Sequence, residues 1–278
     1  MALLMLALLG PSAAPPDILA VSLATGLAGG IALAAFRAGS LSGSGAVAAS
    51  LVGAIAMTAG PPWGLFLVLW FVAASVASRI GRARKQLHTR EVIEKGDARD
   101  AAQVAANGGV FALAAAVALG WPQHEAAAAL AAAGALVAAG ADTVATETGT
   151  LWRGRPLSLR TWTLVDAGTS GAVSLPGTVG MVCAAVLLAW LATMVGLVPA
   201  AAWGGVALAG VAGALADTLI GAWWQARRWC PACQRETEQR VHRCGAPSLP
   251  HGGVGVLTND AVNALCTAVG ACTAIVWR

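Results

Sequence analysis

The sequence predicts an all-α integral membrane protein, a polytopic bundle of about eight transmembrane helices, and three observations lead to this fold class. The chain of 278 residues is 58% hydrophobic and only 11% charged, whereas soluble domains carry about 25% charged residues. Several apolar runs reach or approach the roughly 20 residues that a helix needs to cross the hydrocarbon layer. These runs are continuous and lack the alternating pattern of barrel strands, so the spans are helices.

The apolar runs define eight predicted spans within a single transmembrane domain, residues 1–278. The spans cover residues 18–36, 44–60, 62–80, 102–120, 124–146, 171–197, 200–224 and 259–277. Residues 1–10 are apolar but too short to span and have no basic leading segment, so we do not expect a cleaved signal peptide. The segments SGAVAASLVG and SGAVSLPGTVG resemble each other, which fits a weak internal repeat, although alanine-rich helices also match by chance.

The basic residues predict the orientation in the membrane. All of them except Arg278 fall in four groups, which are Arg37 and those within residues 79–99, 153–160 and 227–243. With eight spans the four groups share one side, which the positive-inside rule makes cytoplasmic, with both termini outside. The pI of 9.0 therefore reports topology, and no nucleic-acid partner is expected. We expect a cell membrane of bacterial or archaeal type.

Acids and amides converge at the predicted cytoplasmic ends of four spans. Asp142 and Glu147 lie at the end of the fifth span, and Asp217 lies in a second Ala-Asp-Thr element near the end of the seventh. The polar residues that open the fourth and eighth spans are Gln103, Asn107, Asn259, Asp260 and Asn263. Any one of them could be an interfacial or packing residue, but carboxylates in lipid usually face a partner or a water-filled site. Because Mg²⁺ binds through one or two carboxylates plus phosphate oxygens, the set predicts a Mg²⁺ site.

The cytoplasmic loops carry candidates for phosphate binding. They are Arg79, Lys85, Arg99, Arg153, Arg155, Arg160, Ser170 and Gly171. Guanidinium groups together with backbone N–H groups at a helix start form an anion site. The alternative for each arginine is a topogenic charge at the headgroup level. The run GTLWRGRP lacks the Lys-Ser/Thr ending of a P-loop, which excludes that standard nucleotide loop.

A cysteine motif lies in the predicted cytoplasmic loop 225–258. Cys230, Cys233, His242 and Cys244 form Cys-x-x-Cys followed by His and Cys, a set that can supply four tetrahedral zinc ligands. A cytoplasmic location argues against a disulfide, and a reactive thiol pair stays open as an alternative. The sequence therefore predicts a small element that binds structural Zn²⁺.

Six motifs resemble, in the same order, those of the phytyl-phosphate kinase-like integral membrane family, catalogued as domain of unknown function family 92, with the animal transmembrane protein 19 relatives. They are RDAAQVAANGGV, GADTVATETG, VDAGTSGAVSLPGT, ADTLIGAWWQ, the Cys-x-x-Cys loop and LTNDAVN. The resemblance covers nearly the whole chain. It implies phosphoryl transfer from a nucleoside triphosphate, CTP in the first place, to a membrane isoprenyl monophosphate such as phytyl or geranylgeranyl phosphate.

Phosphoryl transfer needs carboxylates that hold metal, cations and backbone donors, and the candidate residues supply these groups. We expect Asp142, Glu147 and Asp217 to hold Mg²⁺ or orient the attacking phosphate, while the amides, Asp260 and the cations bind the nucleotide and substrate. The expected partners are the bilayer, the isoprenyl phosphate and CTP, and a homo-oligomer is left open. Two alternatives remain. A CTP-dependent lipid cytidylyltransferase has nearly the same parts, and an ion-coupled transporter also pairs acids but tends to hold them near the midplane.

Overall fold

Long apolar helices make up most of the protein, whose computed structural model describes residues 17–83, 85, 98–152 and 154–277. Seven helices in these ranges are long and apolar enough to cross a membrane, and Gly43–Ala59 is a shorter apolar helix. The helices are α1 (Ile18–Arg37), α2 (Gly43–Ala59), α3 (Pro61–Arg79), α4 (Ala101–Gly120), α5 (Glu125–Leu151), α6 (Leu175–Met194), α7 (Trp203–Trp223) and α8 (Asn259–Val276). The predicted polytopic helical membrane bundle is confirmed, while the prediction for residues 1–10 lies outside the described residues.

Helix α5 continues past the predicted span end at residue 146 as far as Leu151. The additional turn is rich in threonine, and its hydroxyls bond back to the helix backbone. Thr148 Oγ1 donates to the carbonyl of Val144 and Thr150 Oγ1 to that of Thr146, each at 2.7 Å. These polar residues lower the hydropathy of the segment. The helix nevertheless continues, because hydroxyls that bond back to the preceding turn are compatible with helical geometry.

Helix α6 starts at Leu175 rather than at the predicted residue 171. Ser174 is its N-cap and accepts a hydrogen bond from the backbone N–H of Gly177 at 3.2 Å, and a proline in the first turn fixes the start. The residues before the cap form a strand instead, β2 (Ala172–Val173), which pairs antiparallel with β1 (Leu157–Ser158).

Helix α5 is the most buried of the membrane-length helices and packs against α3, α4, α6, α7 and α8. Small residues allow these close approaches. Gly134 on α5 faces Gly270 on α8, and a Cβ atom on either glycine would overlap the carbonyl oxygen of the other. Gly210 on α7 likewise packs directly against Val137 on α5. The bundle core is therefore formed around α5, whose sequence is rich in alanine.

The segment between α7 and α8, predicted only as a loop, contains a small antiparallel sheet. Its strands are β3 (Arg227–Cys230), β4 (Arg235–Thr237) and β5 (Leu249–Gly252), in the order β4-β3-β5. The sheet and the β1–β2 pair lie where α5 and α7 end and where α6 and α8 begin. This end of the bundle carries the candidate site.

Candidate functional site

A cavity of about 810 Å³ opens at the end of the bundle where the sheet lies. Helices α4, α5, α6, α7 and α8 contribute residues to its walls. The predicted site residues that line it are Arg99, Gln103, Asn107, Asp142, Glu147, Ser170, Gly171, Asp217, Asn259, Asp260 and Asn263. The structure thus brings together acids and amides that are far apart in the sequence, although their roles stay predictions.

Asp142 on α5 and Asp217 on α7 interact electrostatically across the cavity. The Oδ2 atom of Asp217 is buried and has no hydrogen-bond partner among the residues that the structure describes. An unsatisfied buried carboxylate oxygen beside a second carboxylate is costly. A hard cation would satisfy both groups, and the carboxylate, amide and hydroxyl oxygens around them are the donor type that Mg²⁺ prefers. The residues present therefore fit the predicted Mg²⁺.

The third acid, Glu147, has a different environment because it is paired with Lys85. The Lys85 ammonium also donates to the carbonyl oxygens of Ala77 at 3.1 Å and Ser78 at 2.9 Å, at the end of α3. The side chain of Lys85 is only 8% exposed. Lys85 thus balances the charge of Glu147 and joins the ends of α3 and α5, and it does not itself line the cavity.

Arg99 is held in the cavity wall by both its backbone and its side chain. Its N–H donates to the carbonyl of Ser40 at 3.1 Å, and its own carbonyl accepts from the N–H of Ser42 at 3.0 Å. The guanidinium donates to Ser75 Oγ at 3.2 Å and lies 5.7 Å from the ring centroid of Phe71. Burial lowers the pKa of Arg99 from its ordinary value, and the carboxylate of Glu147 opposes that shift.

A narrow apolar groove of about 80 Å³ lies between α1, α2, α3 and α4. Its walls are mainly aliphatic and aromatic, and they include Val52 and Phe71. Arg99, Gln103 and Asn107 line both this groove and the cavity. The polar cavity therefore meets an apolar groove within the helical bundle, and these three residues lie at the junction.

Several predicted cations lie away from the cavity. Arg79 donates to the carbonyl of Ala38 at 2.7 Å and to Ser40 Oγ at 2.8 Å, and it does not line the cavity. Arg155 and Arg160 line a neighbouring pocket of about 360 Å³, where Arg160 donates to the two carboxylate oxygens of Glu236 at 2.9 and 3.1 Å. Arg153 lies outside the described residues.

Beside Gln225, a polar residue at the end of the seventh predicted span, the sheet segment supplies cavity residues that were not predicted, namely Arg227, Arg228, Glu238 and Arg240. Glu238 Oε1 accepts hydrogen bonds from Ser170 Oγ at 2.5 Å and from Gln225 Nε2 at 2.8 Å. The charged run RETEQR between the cysteines was the available signal. A charged run in a loop does not reveal which of its members point toward a distant helix.

Gly171 allows this network to form. It has a φ of +71°, and a Cβ atom there would overlap the backbone of Ala222 near the end of α7. A positive φ and a close backbone approach both favour glycine. The turn at Gly171 thus places the neighbouring Ser170 within 2.8 Å of the Gln225 amide.

The four residues predicted to bind zinc form one cluster beside the sheet, with Cys230 at the end of β3. One potential ligand atom from each of Cys230, Cys233, His242 and Cys244 lies within 4.8 Å of the others. Cys230 Sγ is 3.6 Å from Cys244 Sγ, and His242 Nδ1 is 3.3 Å from Cys244 Sγ. Hydrogen bonding by the His242 ring is the main cause that lowers the pKa of Cys244 to about 6. These residues could hold a metal ion.

Comparison with known proteins agrees with the membrane fold. No solved structure matches the chain. The sequence is 28% identical over 256 residues to Protein PGR of Arabidopsis thaliana, an alignment that covers 84% of this chain and 87% of that protein. The family model described as integral membrane protein DUF92 matches residues 26–271. The chain therefore belongs to the integral membrane protein DUF92 family.

Proposed function

We propose that the protein is a membrane kinase that converts an isoprenyl monophosphate, such as phytyl or geranylgeranyl phosphate, to the diphosphate. The observation that carries this proposal is the junction at Arg99, Gln103 and Asn107, where the polar cavity meets the apolar groove. A substrate with an anionic head and a hydrocarbon tail would place one part in each. The groove is narrow, so it would hold the part of the chain next to the head, with the remainder in lipid. The isoprenoid substrate and CTP as donor come from the resemblance of the motifs.

In the proposed reaction a non-bridging oxygen of the lipid monophosphate attacks the γ-phosphorus of the nucleoside triphosphate. The bond from that phosphorus to the β–γ bridging oxygen breaks, and the nucleoside diphosphate leaves with the bridging oxygen. Catalysis of this kind consists mainly of positioning and charge stabilisation. Arg99, Arg228 and Arg240 line the cavity and would bring two anionic phosphates together against their repulsion.

Asp142 and Asp217 would hold the Mg²⁺, and the oxygens of Asn259, Asp260 and Asn263 at the start of α8 lie in the same cavity. When bound, Mg²⁺ would neutralise the charge that develops on the phosphate oxygens. Glu147 would act differently from the two aspartates, because its pairing with Lys85 makes it a group that positions the end of α5.

The pocket that contains Arg155 and Arg160 would receive the outer part of the nucleotide. It shares Ser170, Gln225, Arg227 and Glu238 with the main cavity. A nucleotide entering through this pocket would reach the carboxylates from the sheet side, while the lipid reached them from the groove side. Approach of donor and acceptor from two different openings would suit an in-line transfer.

The cavity would face the cytoplasm, where nucleoside triphosphates are found, with both termini outside. The four groups of basic residues used to predict the orientation lie next to helix ends at the cavity side in the sequence. Asn259 and Asp260, which line the cavity, lie in the first turn of α8. A position near one end of the bundle favours an enzyme over an ion-coupled transporter, which tends to bind near the midplane.

The test incubates purified protein with geranylgeranyl or phytyl monophosphate, Mg²⁺ and CTP that is labelled on either the α- or the γ-phosphate. Transfer of the γ label to the lipid with release of CDP is the expected result. A CDP-lipid that carries the α label, with release of pyrophosphate, would identify a cytidylyltransferase and contradict the kinase. No labelled lipid with CTP, ATP, GTP or UTP would overturn both.

A further inference from the structure

The cysteine and histidine cluster has the dimensions of a tetrahedral zinc site. With Zn–S bonds of about 2.3 Å and a Zn–N bond of about 2.0 Å, adjacent ligand atoms lie about 3.8 Å apart for two sulfurs and about 3.5 Å for sulfur and nitrogen. The corresponding distances here are 3.6 Å between Cys230 and Cys244 and 3.3 Å between His242 and Cys244. A disulfide needs about 2.05 Å between sulfurs, and Cys230, Cys233 and Cys244 are all outside disulfides.

Two tight turns each present a pair of these ligands. In the turn between β3 and β4 the N–H of Cys233 donates to Cys230 Sγ at 3.4 Å, which holds the first pair of ligands together. In the second turn Gly245 has a φ of +84° and its N–H donates to the carbonyl of His242 at 2.8 Å. This left-handed turn brings His242 and Cys244 to the same point.

The sheet has little apolar core of its own. Its strands are three or four residues long, and every residue of β5 is exposed. Small elements of this kind depend on a disulfide, a metal or docking for stability. Cys230 and His242 are both buried, so the cluster occupies the position that a hydrophobic core would take in a larger domain.

The cluster is directly linked to the wall of the cavity. Glu238 and Arg240, which line the cavity, lie between the ligands Cys233 and His242 in the chain. The carbonyl of Arg240 accepts from the N–H of Ser248 at 2.9 Å, and Ser248 Oγ accepts from Arg228 Nε at 2.7 Å. Displacement of the second ligand turn would therefore also move Arg228 and Arg240 in the cavity wall.

We propose that Cys230, Cys233, His242 and Cys244 bind one Zn²⁺ and that this ion fixes the cavity wall formed by Glu238 and Arg240. Three thiolates and one imidazole favour zinc over magnesium or calcium, which prefer oxygen ligands. Four protein ligands leave no open position, so the ion is structural. This zinc is distinct from the proposed Mg²⁺ at Asp142 and Asp217.

The first experiment measures metal content in the full-length protein purified in detergent without chelators. We expect about one zinc ion per chain, and loss of that zinc in Cys230→Ser and Cys244→Ser. Cys272→Ser is the matched control, because Cys272 is an exposed thiol on α8 outside the cluster, and it should keep its zinc. Zinc-free wild type that fails to take up added Zn²⁺, or a disulfide among the four residues found by mass spectrometry, would overturn the site.

The second experiment asks whether the ion holds the wall, and it needs no substrate, so failure of the proposed kinase activity would not affect it. Zinc is removed from the intact protein with a chelator, and amide hydrogen exchange is followed at residues 236–242, 168–173 and 128–139. The first two segments should exchange faster and recover when Zn²⁺ is restored, while the core of α5 stays protected. Unchanged exchange at residues 236–242 and 168–173 after complete zinc removal would refute the structural role. Exposure of the α5 core as well would show general unfolding and also contradict it.

Discussion

The carboxylates of Asp142 on α5 and Asp217 on α7 interact across the cavity, and Oδ2 of Asp217 has no hydrogen-bond partner among the described residues. We expect Asp142→Asn and Asp217→Asn each to lower the phosphoryl-transfer rate by about 100-fold or more, because a charge that holds the reacting groups is lost. Turnover of isoprenyl monophosphate with Mg²⁺ and CTP measures this effect. Glu125→Gln at the opposite end of α5 is the matched control, because Glu125 is exposed and far from the cavity.

The same variants distinguish a metal site from a merely structural pair. Mg²⁺ that binds the folded state should raise the melting temperature of the wild type, and this increase should disappear in both asparagine variants. Without Mg²⁺ the variants should be at least as stable as the wild type, because repulsion between two acids is relieved. An equal Mg²⁺-dependent stabilisation in wild type and both variants would exclude metal binding by this pair.

The ion pair between the buried Lys85 and the half-buried Glu147 should stabilise the junction of α3 and α5. We expect Lys85→Met to cost about 1.5–3 kcal/mol, the usual contribution of a hydrogen bond to a charged group, because the half-buried Glu147 would lose its ion-pair partner. The double variant Lys85→Met with Glu147→Gln should recover much of that loss. Thermal unfolding of the wild type, the two single variants and the double variant gives the interaction free energy between Lys85 and Glu147. Additive losses would contradict the pairing.

Hydropathy and helix length were sufficient to predict the bundle, because the membrane requires long apolar helices. The convergence of Asp142, Asp217 and Asn263 could also be predicted, since alternating spans bring their ends to a common side. The true ends of α5 and α6 could not be predicted. They depend on threonine hydroxyls and on the Ser174 cap, to which a hydropathy window is insensitive.

The positions of individual loop cations could not be predicted from the sequence. Arg79 bonds to Ser40, 39 residues earlier, and Arg160 bonds to Glu236, 76 residues later. Contacts between segments so far apart leave no local pattern. For the same reason Glu238 was missed, because its partner Ser170 is 68 residues away.

Arg99 lies where the cavity meets the apolar groove, so its removal should affect lipid binding more than nucleotide binding. We expect Arg99→Gln to raise the KM for the isoprenyl monophosphate by about tenfold, the loss expected for one hydrogen bond to a charged group. Steady-state kinetics with each substrate varied in turn measure the two KM values. Arg37→Gln, at the exposed end of α1, should change neither KM. A larger effect of Arg99→Gln on the KM for CTP would place Arg99 on the nucleotide instead.

The predicted orientation places the C-terminus outside the cytoplasm. Alkaline phosphatase folds only outside the cytoplasm, so a phosphatase fused after Arg278 should be active. Green fluorescent protein that is exported unfolded does not fluoresce, so the same fusion with this reporter should be dark. A matched fusion at the exposed turn near Val256, between β5 and α8, should give the opposite pair of results. Fluorescence of the C-terminal fusion would show that the predicted orientation is wrong and that the cavity faces away from the cytoplasmic nucleotide.

Gly134 and Gly270 bring the backbones of α5 and α8 into direct contact, and any side chain at either position would have to displace the other helix. We expect Gly270→Val to destabilise the bundle by about 1–3 kcal/mol, the usual cost of overpacking a closely packed interior. Gly29→Val on α1 is the control, because a Cβ atom at Gly29 meets nothing within 4 Å. Thermal unfolding in detergent compares the two variants at equal protein concentration.

Since Asp260 and Asn263 lie near the start of the same α8 helix, a displaced α8 should also weaken the stabilisation by Mg²⁺. Equal stability of the two valine variants would show that α5 and α8 do not approach through these glycines.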